Sequence, residues 1–221
     1  SIFNAQQKVA DIEQHMLHFL ENHDEQRIAS PDFAGDAAWG KPAMVVSNLI
    51  SRSPTLLYFG QDVGEDGSEN AGFGSPTRTS IFDYIGVPAH QAWMNNGKFD
   101  GANLTPEQAQ LRQYYIAIME LNGLPAVVAG DMAPMMVTGS DRVVGFVRTL
   151  GQQSLWVLSN FSQQSQTVTI TLTPNQATML KPNSTLYDLL ESHSSILVSD
   201  EKQNTTFTLT LDALSSAVLT N

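Results

Sequence analysis

The first 60 residues alternate between segments of helical periodicity and short, continuously apolar segments. Residues 5–14 and 37–53 carry apolar side chains on one side of a predicted helix. Each helix is followed by a short apolar run, residues 15–20 and 55–60, which we predict to be strands. The order helix, strand, helix, strand with compact apolar strands indicates parallel strands covered by helices.

A long polar segment, residues 61–104, separates these elements from a further helix. Segments of this length in compact domains are usually functional or disordered. Its large apolar side chains predict that it packs against the rest of the chain; they are Phe73, Ile81, Phe82, Tyr84 and Trp93. The helix that follows is predicted over residues 105–124, with Thr105 as its N-cap, Pro106 at its first position and Gly123 at its end.

After about residue 125 the pattern changes to a period of two. Apolar side chains alternate with threonines in TVTITLT and in TFTLTL, which is typical of half-buried antiparallel strands. We therefore place a boundary between residues 125 and 138. The predicted fold class is α/β plus all-β, with one domain over residues 1–130 and an antiparallel β domain over residues 131–221.

The composition narrows the possible functions. The chain has 22 acidic and 11 basic residues, a formal net charge of -11, which argues against a nucleic-acid phosphate backbone as partner. No apolar run approaches the roughly 18 residues that span a membrane. The absence of cysteine fits both the cytoplasm and a secreted bacterial protein and does not discriminate between them; a secreted or periplasmic location is slightly favoured over a cytoplasmic one. Because the chain begins without Met, we expect it to be part of a longer protein.

Polar and ionisable side chains follow the predicted strands. Asn22, His23 and Asp24 come directly after the first strand, and Gln61 and Asp62 directly after the second. Ligands of parallel sheets bind at the carboxyl ends of strands, so we expect these side chains to share one rim. Taken alone, Asn-His-Asp is better explained without a ligand, with Asp24 as a helix N-cap or turn former and His23 as a hydrogen-bonded core imidazole. There is no Gly-x-Ser-x-Gly elbow, and the glycine-rich loop lacks the P-loop lysine.

The motifs taken together resemble the α-amylase family of glycoside hydrolases. FLENHDEQRI resembles the last signature region of the family, and SPTLLYFGQDVG resembles its following Pro, strand and Tyr-x-Gly-x-Glu-x-Gly segment. SPTRTSIFDY looks like the Asp-Pro-x-x-Arg segment, and VVGFVRTLGQQSLWVLSNFS resembles the first hairpin of the C-terminal sandwich. Two positions depart from the pattern: Asp62 replaces the more frequent Glu, and Ser75 stands where Asp is common.

The resemblance implies a fold and a function. It implies the last two βα units of a (β/α)8 TIM barrel followed by an antiparallel β-sandwich. Asp24 matches the Asp that stabilises the oxocarbenium-like transition state, and His23, Asn22, Arg27 and Arg78 are expected to bind substrate, with Arg27 chiefly fixing neighbouring carboxylates such as Asp24.

The expected activity is that of a fragment of a retaining hydrolase acting on α-1,4-glucans. The nucleophile and the acid/base of the family lie on earlier barrel strands, so we expect this chain alone to be inactive. Its partners would then be the α-glucan and either the missing upstream half of the barrel or a second copy of the chain. We expect no cofactor in this part, although calcium is possible in the parent enzyme.

Two other functions remain open from the sequence. The chain could be a carbohydrate-binding or interaction module, which would require exposed, coplanar aromatic side chains. Trp156 is expected in the core, so Trp39 and Trp93 are the better candidates for such side chains. Alternatively the parent enzyme is a transglycosylase or isomerase, since the same barrel and acids serve those reactions.

Overall fold

The computed structural model describes residues 1–69, 78–191, 193, 196–201 and 204–221. The α-helices of this described part are α1 (Ile2–Lys8), α2 (Gly40–Leu49), α3 (Pro88–Met94), α4 (Pro106–Glu120) and α5 (Pro125–Ala129). Its strands are β1 (Asp131–Pro134), β2 (Met136–Thr138), β3 (Val143–Leu150), β4 (Gln153–Asn160), β5 (Gln166–Thr171), β6 (Thr185–Asp188), β7 (Ile196–Leu197), β8 (Ser199–Glu201), β9 (Asn204–Leu211) and β10 (Ser216–Thr220). No helix among these residues is long and apolar enough to cross a bilayer.

The first helix differs from the prediction. It begins at Ile2, after Ser1, whose hydroxyl accepts the N–H of Asn4 over 3.5 Å, and it ends at Lys8. The predicted extension to residue 14 is replaced by turns and a short 3-10 helix, Glu13–His15. No side chain of α1 is fully buried, so tertiary packing does not stabilise a longer helix here.

The two predicted strands meet as a short parallel contact. His18 forms one parallel bridge with the second segment. Its N–H donates to the Pro54 carbonyl over 2.9 Å, and its carbonyl accepts the Leu56 N–H over 2.8 Å. The predicted adjacency and direction are therefore present, whereas the regular strands over residues 15–20 and 55–60 are not. Within the described part of the chain neither segment has a further strand partner, and so little pairing stabilises a strand weakly.

Helices α2 and α4 share an apolar core. Met44, Val45 and Leu49 of α2 are fully buried, as are Tyr115 and Ile118 of α4. These side chains recur at the three- and four-residue spacing that predicted both helices. Burial of each large apolar side chain contributes about 1.5–3 kcal/mol, so this contact carries much of the stability of the helical part.

The start of α4 agrees with the prediction. Thr105 is the N-cap, and its hydroxyl accepts the Gln108 N–H over 3.2 Å while the Gln108 side chain accepts the Thr105 N–H over 2.9 Å. This capping box satisfies two free N–H groups, and Pro106 occupies the first helical position, where no N–H is needed. A 3-10 turn at Leu121–Gly123 ends the helix.

The long polar segment, of which residues 61–69 and 78–104 are described, is less buried than predicted. Ile81, Phe82 and Tyr84 are exposed to solvent rather than packed. Phe73 lies outside the described residues, and Trp93 is partly buried on α3. Buried polar neighbours, rather than these apolar side chains, attach the segment to the core, as described below for the site.

The C-terminal part is a two-sheet antiparallel sandwich. The described strands form one sheet in the order β1-β3-β4-β10-β6-β7 and a second in the order β2-β5-β9-β8. Trp156 is fully buried between them, as predicted, and contacts Phe207 edge-on with ring centroids 6.2 Å apart. Four threonines of β5 and β9 lie on the outer face and pair across the strands, Thr167 with Thr210 and Thr169 with Thr208, each over 2.8 Å.

The larger sheet is covered on both faces. Its second face contributes Phe146, Leu155 and Val157 to the core formed by α2 and α4. Arg148 crosses this contact fully buried, and its guanidinium donates to four carbonyls. The acceptors are Leu49 at 2.7 Å, Ser51 at 2.9 Å, Val127 at 2.9 Å and Gly130 at 2.8 Å. The helical part and the sandwich are thus joined by continuous packing and by the hydrogen bonds of the buried Arg148.

Candidate functional site

A tight turn after the first parallel segment carries the predicted site residues. The Asn22 side-chain oxygen accepts the N–H groups of Asp24 and Glu25, each over 2.8 Å, which fixes the turn. His23 and Asp24 therefore project to solvent side by side, with side chains 55% and 71% exposed. Their Nε2 and Oδ2 atoms are 3.3 Å apart. Two adjacent groups able to exchange hydrogen bonds with a polar ligand are thus presented together.

Beneath this turn lies a buried ion pair. Arg27 Nη1 is 2.8 Å from Glu21 Oε2, and the two side chains are 0% and 2% exposed. The other carboxylate oxygen of Glu21 accepts the Ile28 N–H over 2.7 Å. The partner of Arg27 is therefore Glu21, and not the exposed carboxylates of Asp24 or Glu25. Because the pair spans residues 21 to 28, it closes the base of the turn.

The rest of the Arg27 guanidinium is also occupied. Its Nε and Nη2 donate to the Thr79 hydroxyl over 3.0 and 2.7 Å. The guanidinium carbon lies 4.5 Å from the ring centroid of Tyr58 and 5.3 Å from that of Phe59. Burial raises the pKa of the Glu21 carboxyl, and the charge of Arg27 opposes that shift. In this structure Arg27 contacts the protein interior and holds the rim from below.

Arg78 joins the rim from the long segment. Its Nη1 donates to the backbone carbonyl of Asp24 over 3.4 Å. Its neighbours Thr79 and Ser80 are buried, and the Ser80 carbonyl accepts the Tyr58 hydroxyl over 3.1 Å. The structure therefore brings Arg78 next to Asp24, fifty-four residues earlier in the chain.

Gln61 and Asp62 do not join the rim, which corrects the expectation for the second strand end. Both are buried in a 3-10 turn, where Gln61 donates to the Tyr115 hydroxyl over 3.3 Å. Asp62 forms an ion pair with Arg112 of α4, whose guanidinium lies 4.3 Å from the ring centroid of Trp93. The left-handed φ of Gly60, 82°, turns the chain away from the rim at this point.

Sequence reasoning missed two buried carboxylates, Glu21 and Glu65. Glu65 is almost fully buried and accepts the His90 N–H over 3.0 Å, and burial raises its pKa. The only signal for Glu21 in the sequence is an Arg six residues later, which is too common a spacing to be diagnostic. Among the described residues, no group of three or more His, Asp or Glu side chains is arranged to hold a metal ion.

The rim is an open surface. Two clefts of about 490 and 520 Å³ lie elsewhere, one against α1 and β1 and the other beside Lys41, Tyr114 and Glu191. Neither includes Asn22, His23 or Asp24. The exposure of the two adjacent polar side chains, rather than a cavity, therefore defines this site.

The sequence matches no family model. It also matches no curated protein. Solved structures, in contrast, match nearly all of it. A maltogenic α-amylase, AmyB of Thermotoga neapolitana, has a TM-score of 0.64 at 13% identity, over 99% of this chain and 44% of its own. AmyP, solved in complex with maltose, has a TM-score of 0.64 at 20% identity, over 98% of this chain and 43% of its own. The Nostoc punctiforme debranching enzyme has a TM-score of 0.63 at 21% identity, over 99% of this chain and 39% of its own.

These matches show a shared fold at low identity. The part of this chain that they match comprises a helical part with two parallel segments, followed by an antiparallel sandwich. The chain spans about two fifths of the length of the enzymes that it matches. This chain thus has the fold of the C-terminal part of the α-amylase-family enzymes.

Proposed function

We propose that this chain is the C-terminal part of an α-amylase-type retaining glycoside hydrolase that acts on α-1,4-glucans. The observation that carries the proposal is the rim turn, in which Asn22 orients exposed His23 and Asp24 above the buried Glu21–Arg27 pair. Solved structures with the same fold include α-amylases and a debranching enzyme, which supports the substrate class. AmyP, which also has this fold, was solved with maltose.

In this proposal each rim residue has a distinct task. Asp24 accepts hydrogen bonds from hydroxyls of the reacting sugar ring and stabilises the positive charge that develops on it. His23 donates to a hydroxyl of the same ring. Arg27 acts as a positioning residue, since its donors are taken by Glu21 and Thr79. Arg78 lies half-exposed beside Asp24 and contacts the next part of the substrate.

The 221-residue chain alone is proposed to be inactive. Retaining hydrolysis needs a nucleophilic carboxylate and an acid/base about 5 Å apart. The carboxylates nearest Asp24 in sequence are Glu21, which is buried against Arg27, and the exposed Glu25. Neither occupies a position that the resemblance gives to those two groups. We propose that an upstream part of the barrel supplies them, and that the reaction needs no cofactor from the residues of this chain.

The exposed apolar side chains of the first parallel segment support an upstream partner. Leu17 and Phe19 both lie largely exposed, next to backbone with a single parallel bridge. Unpaired strand edges and apolar faces favour further pairing. We propose that the upstream half of the barrel covers them; association of two copies of this chain is the alternative, and sedimentation of the isolated chain distinguishes the two.

The direct test is turnover of maltoheptaose by this chain and by a version extended upstream, each with and without Asp24→Asn. We expect activity only in the extended protein, and a loss of about 100-fold or more in kcat for Asp24→Asn. Glu25→Gln is the matched control, because it neutralises the adjacent exposed carboxylate. An inert extended protein, or one indifferent to Asp24→Asn, contradicts the proposal.

A transglycosylase or an isomerase has the same rim. Product analysis of the extended enzyme separates them, since hydrolysis gives shorter maltooligosaccharides, transfer also gives longer ones, and isomerisation conserves chain length. A binding module built on the sandwich is less favoured, because Trp156, the aromatic side chain in its central strand, is fully buried.

A further inference from the structure

Two aromatic rings are displayed on the surface close to the rim turn. Phe82 and Tyr84 are 49% and 69% exposed. Their ring centroids are 5.4 Å apart and their planes differ by 29°, so the rings are nearly parallel. Exposed side chains of this size cost hydration free energy. The two rings stack on each other, and the ring surface that this stacking leaves open to solvent is available to a ligand with an apolar face.

The aromatic pair, Phe82 and Tyr84, is attached to the rim by consecutive anchors. The Ser80 hydroxyl accepts the Phe82 N–H over 2.8 Å, and the Ser80 carbonyl accepts the Tyr58 hydroxyl. Thr79 is held by Arg27, and Arg78 by the Asp24 carbonyl. The chain from residue 78 to residue 82 spans at most about 14 Å. The pair is therefore held within a few sugar lengths of Asp24.

The chemistry of the pair fits a sugar ring. An aromatic face carries negative charge density, and the C–H face of a pyranose presents weakly positive hydrogens to it. Asp83, which lies between the two aromatic residues and is exposed, can accept hydrogen bonds from the hydroxyls at the edge of such a ring. Apolar faces with an adjacent acceptor match the two kinds of surface that a glucose unit has.

We propose that Phe82 and Tyr84 form a stacking subsite for a glucose unit of an α-1,4-glucan whose neighbouring units occupy the Asp24 rim. The proposal rests on the proposed function and names a new part of the same site. A sugar is favoured over an upstream protein segment because the pair continues directly from the rim and has an acceptor beside it. Anionic ligands are disfavoured by the net charge of -11.

The test is calorimetric binding to the extended protein carrying Asp24→Asn, in which the expected loss of about 100-fold or more in kcat slows turnover during the measurement. Maltoheptaose and maltose are the probes, and cellohexaose is the control sugar. We expect Phe82→Ala combined with Tyr84→Ala to weaken maltoheptaose binding roughly 3- to 10-fold. Maltose, which is too short to cover both the rim and the pair, should bind unchanged. Tyr84→Phe keeps the ring and should retain the affinity.

Tyr187→Ala is the matched variant, because Tyr187 is an exposed tyrosine on the sandwich strand β6. It should leave both affinities unchanged. Equal maltoheptaose affinity in the double variant and in the parent overturns the subsite, while the turnover test can still support the proposed function. Equal weakening of maltose and maltoheptaose also overturns it, because it indicates a general loss of rim structure. If no maltooligosaccharide binds and the extended protein is inert, the proposed function fails together with the subsite.

Discussion

Glu21 and Arg27 form a fully enclosed ion pair directly beneath the exposed side chains of His23 and Asp24. Charges removed from water in this way are stable only when each is paired and hydrogen-bonded. Here the carboxylate also accepts the Ile28 N–H, and the guanidinium also donates to Thr79. The pair therefore couples the geometry of the rim to the stability of the fold.

Removing one member of this pair should destabilise the protein strongly. Glu21→Ala leaves Arg27 buried without its counter-charge, and we expect a loss of about 3–5 kcal/mol in the free energy of unfolding. Glu21→Leu combined with Arg27→Met should cost less than Glu21→Ala alone, because no uncompensated charge remains. Urea denaturation measures both variants against the parent. Glu25→Ala, at an exposed neighbouring position, should stay within about 0.5 kcal/mol of the parent; an equal effect there contradicts this account.

The sequence predicted those features that local rules determine. The helix after Thr105 follows from its capping box, and the outward threonines of β5 and β9 follow from a period of two. The partners of long-range contacts could not be predicted from local sequence patterns. Arg148 joins carbonyls up to 99 residues away, and no local pattern indicates those acceptors.

At the candidate site, the same distinction separates what was predicted from what was not. The Asn-His-Asp turn was evident because its hydrogen bonds join residues two and three apart. Two features of the site were not evident from the sequence: that Glu21 is the partner of Arg27, and that Tyr84 is exposed. Both depend on how residues 78–85 fold back onto the turn. The strands expected at residues 15–20 and 55–60 were shortened because strand formation depends on pairing partners as well as on apolar sequence.

The Asn22 side chain should be required for the shape of the rim turn. Asn22→Ala removes the acceptor of two N–H groups, and we expect a loss of about 0.5–2 kcal/mol in stability, as for the loss of a helix cap. Asn22→Asp keeps an acceptor oxygen in place and should recover most of that loss. Thermal unfolding checks both variants. If Asn22→Asp is as unstable as Asn22→Ala, the turn is not fixed by these hydrogen bonds.

His193 should make stability depend on pH near neutrality. Its Nδ1 is 2.5 Å from Asp188 Oδ2, and this hydrogen bond raises the pKa of His193 above its ordinary value of 6.5. The folded state therefore binds a proton more tightly than the unfolded state. The resulting stabilisation is fully present below pH 6.5 and is lost as the pH rises through the folded pKa. His193→Gln should remove this fall, as measured by urea denaturation across that range; parallel profiles for the two proteins contradict the assignment.

A side chain at Gly60 should destabilise the protein, for two separable reasons. Its φ of +82° is left-handed, which costs an L-residue roughly 1–2 kcal/mol, and an added Cβ would lie 3.1 Å from the Cβ of buried Glu65. Gly97→Ala is the matched control, because Gly97 has a φ of +86° and nothing within 4 Å of an added Cβ. We expect Gly60→Ala to lower the free energy of unfolding by more than Gly97→Ala does. Equal losses in the two variants show that backbone strain alone destabilises Gly60→Ala, and that contact with the Glu65 side chain does not restrict this turn.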